Sequence, residues 1–182
     1  MNLSEKEILE FYLKAIKLKQ ITRRGWVQKG ISNAESVADH TFGVCVLSLL
    51  YAMIYGLDVK KVLIMALFHD IAETKIGDIT PLDDFPIEEK QKLEDTETQK
   101  ILLEIDKTND LYKLWIDFEH KLSDEGKLVK QIDKLEVALQ ALIYEKEQNI
   151  DFSDFFTSVS QFIDSEYLNR LLNEIELMRD QK

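Results

Sequence analysis

His40, the adjacent pair His69-Asp70 and the distant Asp133 are the residues of this chain whose types fit metal chemistry. Each interrupts an apolar stretch. Val62 to Phe68 runs directly into the His-Asp pair, and Asp133 falls among Leu128, Val129, Ile132 and Leu135. Polar groups at such positions cost free energy on burial unless something pairs with them. Two neutral imidazoles and two carboxylates suit one divalent transition metal ion, Mn, Co, Fe, Ni, Zn or Cu, with positions left open for water and substrate. Consecutive helical residues point about 100° apart, so His69 and Asp70 can reach one ion only near a helix end. Gly77 and Asp78 mark such an end shortly downstream.

The elements that must position these residues read as helices. Ser4 and Glu7 have capping-box spacing, and the apolar period that follows predicts a first helix to about Ile21, then a loop from Arg23 to Gly30. Ser32 and Glu35 repeat that spacing ahead of a second helix, from about Ala34 to Tyr55, with Gly56 as its stop. Asp58 can cap a third helix reaching about Thr74. Because this helix is apolar on nearly all sides, it is expected to be the central one. Both prolines lie between Asp78 and Pro86, a loop. Helical patterns follow over Glu88 to Asp106, Leu111 to Leu122 and Asp124 to about Glu147, and two more lie between Phe152 and Met178. No strand-period segment of useful length and no repeat occurs, so the expected fold is all-α, one bundle of about seven or eight helices.

A chain of 182 residues can bury a self-sufficient core as a single domain over 1–182. No apolar run approaches a membrane span, and the residues before Ser4 are too few and too polar for a signal peptide. With one cysteine, Cys45, there is no disulfide framework, and a cytoplasmic protein without membrane association is expected. The net charge of −11 argues against a nucleic-acid groove. Positive charge is nevertheless concentrated at Arg23, Arg24 and Lys29, where a small anion could bind.

The order His40, His69-Asp70, Asp133 resembles the HD superfamily of metal-dependent phosphohydrolases. The surrounding blocks resemble its 5′-deoxynucleotidase branch: Arg23-Arg24-Gly25-Trp26-Val27, Glu35-Ser36-Val37-Ala38-Asp39-His40, His69-Asp70-Ile71-Ala72-Glu73, Gly77-Asp78-Ile79-Thr80-Pro81 and Lys130-Gln131-Ile132-Asp133-Lys134-Leu135-Glu136. The resemblance covers about residues 13–142, leaving a C-terminal helical extension over 150–182. It implies that His40, His69, Asp70 and Asp133 ligate one divalent ion. It further implies that Glu73 assists proton transfer and that Asp78 positions water or substrate. Arg23 matches the pattern Arg-x-Gly-Trp and would contact phosphate, with Arg24 as the alternative, while Trp26 would crowd the sugar and favour 2′-deoxyribose. His120 is expected at a helix end or on the surface, and Glu136 either beside the ligands or solvated.

The implied activity is hydrolysis of deoxyribonucleoside 5′-monophosphates to deoxynucleoside and phosphate, by a homodimer acting on a small-molecule nucleotide. Two alternatives stay open. One is a related phosphohydrolase for a nucleoside triphosphate, cyclic dinucleotide or alarmone, against which the scarcity of basic residues argues. The other is a metal- or nucleotide-binding module without turnover.

Overall fold

The computed structural model describes residues 3–180. Among them the chain is helical throughout, in the order α1 (Glu5–Ala15), a 3-10 helix (Ile16–Gln20), α2 (Arg24–Gln28), α3 (Val37–Tyr55), α4 (Val59–Phe68), α5 (Glu73–Ile76), α6 (Ile87–Leu103), α7 (Asp110–His120), α8 (Asp124–Gln148), α9 (Ser153–Phe162) and α10 (Glu166–Asp180). The expected all-α class is what the chain forms. The helices are more numerous and shorter than the periodicity suggested, because two long patterns are broken.

The central helix is α8 rather than α4. Ser123 caps α8 by accepting from the Gly126 N–H, and Asn149, in the left-handed region at φ 53°, ends it. In between, Leu128, Val129, Ile132, Leu135, Ala138 and Ala141 are all buried. Helices α3, α4, α7, α9 and α10 pack around it. On α4 only Val62, Met65 and Ala66 are buried, and Leu67 is exposed, so its apolar run covers one side of α8 instead of being surrounded. Burying side chains of this kind stabilises by about 1.5–3 kcal/mol each, which makes the α3–α4–α8 contact a rigid support. The C-terminal helices join the same core through Phe152, Phe156, Leu168, Leu172 and Ile175. At the other end, α1 has a complete Ser4–Glu7 capping box but no buried side chain, and Lys14 pairs with Glu104.

The stretch expected as a loop from Arg23 to Gly30 contains α2. It is clamped at its base: Thr22 and Ser36 form an antiparallel bridge, Arg23 N–H donates to Glu35 O at 2.9 Å, and Val37 N–H donates to Ile21 O at 2.8 Å. That clamp also corrects the start of α3. The capping box is Ser36 with Asp39, not Ser32 with Glu35, which puts His40 in the first turn. With 19 residues and a mean hydropathy of 1.6, α3 is long and apolar enough to cross a bilayer, contrary to the expectation from sequence. Its inner face holds Val37, His40, Val44 and Ala52 against the bundle.

Candidate metal centre

The third predicted helix stops early, and the stop builds the site. α4 ends at Phe68, and the chain turns through His69 to Ala72 before α5 begins. Through this turn the amides bond three residues back: Ile71 N–H to Phe68 O at 3.2 Å and Glu73 N–H to Asp70 O at 3.0 Å. The Trp115 indole N–H donates to His69 O at 3.0 Å. His69 Nδ1 lies 2.8 Å from Ala66 O, in the last turn of α4, where carbonyls lose their intrahelical donors. Since a carbonyl only accepts, Nδ1 carries the hydrogen and Nε2 presents a lone pair.

His40 arrives from α3 with the same polarity. Its Nδ1 lies 2.5 Å from Glu136 Oε2, and its Nε2 points at Asp133 Oδ1, 3.2 Å away. The two Nε2 atoms are 3.3 Å apart, and Asp70 Oδ2 is 3.1 Å from His69 Nε2 and 4.0 Å from His40 Nε2. His40, His69 and Asp133 each offer one ligand atom within 4.8 Å of the others. Two imidazole nitrogens and two carboxylate oxygens thus converge, an arrangement that calls for positive charge, from a metal ion or from a proton on His40. The electrostatics agree. Burial and Arg23 both oppose a charge on His40, yet its contacts with Asp133 and Glu136 push its pKa up to about 9. Asp133 is held well below the ordinary carboxylate range, against the cost of burial, by Lys134 and the two histidines. The residues present therefore fit a divalent ion with mixed nitrogen and oxygen ligands.

Around this cluster, the structure separates the two candidate arginines. Arg23 Nη1 lies 3.8 Å from Asp70 Oδ2, with its side chain only 17% exposed. Arg24 turns outward and pairs with Asp83 at 2.6 Å. Asp83 also accepts from Thr80 N–H and from Gln28, so the proline-containing loop is fastened to α2. Asp78 is buried and accepts from Arg24 N–H at 2.6 Å, fixing the backbone beside Arg23. Glu73 is buried, and its Oε2 has no hydrogen-bond partner. Burial first, then Asp70 and Asp78, push its pKa up to about 10 in the metal-free protein.

Trp26 is not presented as an open ring. It is 2% exposed, stacked on Phe155 and met edge-on by Tyr144 and Phe152. Its indole N–H donates to Glu35 Oε1 at 2.8 Å, and through Glu35 it adjoins the His40–Glu136 pair. His120 is exposed at the end of α7 and is not in either candidate ligand group. Sequence reasoning left Glu136 undecided and passed over Glu35 and Lys134. The i, i+3 spacing of Asp133 and Glu136 was the available signal for a shared face.

Comparison with known proteins places these features in context. The HD domain family profile matches residues 15–175. A Mus musculus protein named 5′-deoxynucleotidase HDDC2 is 34% identical over 177 residues, covering 95% of this chain and 88% of that protein. A Saccharomyces cerevisiae protein, 5′-deoxynucleotidase YGK1, is 36% identical over 146 residues, covering 76% and 67%. Among solved structures, a protein from Pyrococcus horikoshii OT3 superposes with a TM-score of 0.79 at 33% identity, covering 93% of this chain and 99% of that one. With its profile matched over most of its length and the motif residues gathered at one point, this chain belongs to the HD-domain family.

Proposed function

We propose that the protein is a metal-dependent 5′-deoxynucleotidase that hydrolyses deoxyribonucleoside 5′-monophosphates to deoxynucleoside and phosphate. The observation that carries this reading is the meeting of imidazole nitrogens and carboxylate oxygens from His40, His69, Asp70 and Asp133, flanked by the half-buried cation of Arg23. The named activity of the mouse and yeast relatives supports it.

A divalent ion held by those four residues would neutralise charge on the phosphoryl oxygens and lower the barrier to attack by water. The chain's own groups do the rest. Arg23 offers a planar guanidinium fork to two phosphate oxygens, and its anchor on Asp70 keeps the fork from turning away. Glu73 Oε2, buried and unpartnered, is where a proton is held: it takes one from the attacking water or gives one to the departing 5′ oxygen. Asp78 holds the Arg23-Arg24 backbone in place by its bond to the Arg24 N–H. Trp26, packed among three aromatic rings, supports Glu35 in this arrangement rather than touching the sugar.

The proposal extends to a cytoplasmic homodimer. The free, half-buried Cys45 supports a reducing compartment. Phe42, Val46, Leu50 and Met53 form an exposed apolar stripe along α3, and this supports self-association.

A panel of deoxyribonucleoside and ribonucleoside monophosphates, assayed for phosphate release with and without a chelator, tests the activity. Release from the deoxy substrates that stops on chelation and returns with Mn, Co or Zn is expected. No chelator-sensitive release from any of them would sink the proposal.

A further inference from the structure

The fit of His40 to a metal depends on a hydrogen at its other ring nitrogen, and one residue controls that hydrogen. Glu136 Oε2 lies 2.5 Å from His40 Nδ1. His40 is 0% exposed and Glu136 7%, so water does not compete for the bond. Glu35, the other carboxylate within reach, is committed to the Trp26 indole N–H at 2.8 Å.

Glu136 occupies space that the helix it faces leaves open. Gly43 lies three residues beyond His40 on α3, and a Cβ there would fall 2.6 Å from Glu136 Oε1 and 3.0 Å from its Cγ. Only glycine leaves the notch in which this side chain sits. On α8, Asp133 and Glu136 are three residues apart, so one helical face supplies both a metal ligand and the group behind another ligand.

We infer that Glu136, seated against Gly43, is a positioning residue that holds His40 in the tautomer whose Nε2 lone pair faces the ion. An imidazole with its hydrogen on Nε2 would point a donor at the ion and could not ligate it. With Glu136 accepting at Nδ1, that form is disfavoured and the ring plane is fixed. Outer carboxylates of this kind typically change metal affinity by about 10- to 100-fold when removed. The inference concerns the metal set of the proposed activity and rests on that reading.

Zinc affinity by competition titration, together with the ring ¹⁵N signals of His40 in the zinc-loaded protein, tests it. In the wild type the Nδ1–H of His40 should be visible and slow to exchange. Glu136→Ala should weaken zinc by about 10- to 100-fold and lose that signal to exchange. Glu136→Gln, whose amide oxygen still accepts, should keep the signal and lose less affinity. Gly43→Ala, which changes no polar group, should shift the signal and weaken zinc in the same direction as Glu136→Ala. Should Glu136→Ala fail to fold, the other two variants decide. Zinc affinity within twofold of wild type and an unmoved Nδ1–H signal in both would overturn the inference. If the wild type binds zinc through this arrangement yet hydrolyses no deoxynucleotide, the proposed function fails and the positioning role stands.

Discussion

Arg23 Nη1 lies 3.8 Å from Asp70 Oδ2, so the carboxylate that faces both imidazoles also anchors a half-buried guanidinium. The neighbouring Arg24, 2.6 Å from Asp83, belongs to the loop instead. Arg23→Met should therefore lower kcat/KM for deoxynucleotides by about 10²-fold, the scale on which one stabilising donor acts. Metal content should stay near one equivalent. Arg24→Ala should cost less than about tenfold by the same assay, since the group it removes is an exposed ion pair worth little. Equal losses in the two variants would contradict the assignment.

Glu73→Gln removes the proton carrier while keeping its shape. A drop in kcat of about 10²- to 10⁴-fold is expected, with metal content unchanged by elemental analysis. Thermal stability should hold or rise, because the wild-type carboxyl is buried with Oε2 unpartnered. Retained activity would assign the proton to another group.

Glu35 gives a pH signature in the chelated protein. Burial first, and then the charge of Glu136, raise its pKa from 4.5 to about 7, although its bond with Trp26 pulls the other way. Below about pH 4.5 the group is neutral in both native and unfolded chains and has no effect. Between there and pH 7 the unfolded chain gives up the proton that the native one keeps, so stability falls as pH rises. Glu35→Gln should remove this slope and gain about 2 kcal/mol at pH 8, read from denaturant midpoints at pH 4.5 and 8. Parallel curves for variant and wild type would refute it.

The apolar stripe on α3 predicts self-association. Met53, 67% exposed, lies on this stripe, outside the metal cluster. Met53→Glu should sediment as a monomer where the wild type sediments as a dimer, with metal content unchanged. A wild-type monomer at micromolar concentration would end the dimer proposal.

What could be read from the sequence, and what could not, divides along physical lines. His40, His69, Asp70 and Asp133 stand out because polar residues in apolar registers need a reason, and that reason is local enough to see. The break after Phe68 is not visible, because Ile71 and Ala72 continue the apolar pattern. It is fixed by a tertiary bond, the Trp115 indole on His69 O. The start of α3 was misplaced because Ser32 with Glu35 and Ser36 with Asp39 both satisfy the capping rule, and only the pairing of residues 21–23 with 35–37 chooses between them. The i, i+3 spacing places Glu136 on the face of Asp133, but its seat against Gly43 comes from another helix and is not legible locally. For Trp26 the motif position implied crowding of the sugar, and the aromatic packing of its ring by Phe155 and Tyr144 comes from distant segments that no local pattern announces.

α1 is only lightly packed, with Phe11 and Ala15 partly buried and none of its side chains fully so. With no buried side chain, that helix contributes little to cooperative stability, so its amide hydrogens should exchange through local fraying. Those of α3 and α8, which pack against each other in the core, should wait for global unfolding. His40 and Asp133 lie on these two helices, in the part of the chain that opens last. Release of an ion held there would then not depend on the fraying of α1.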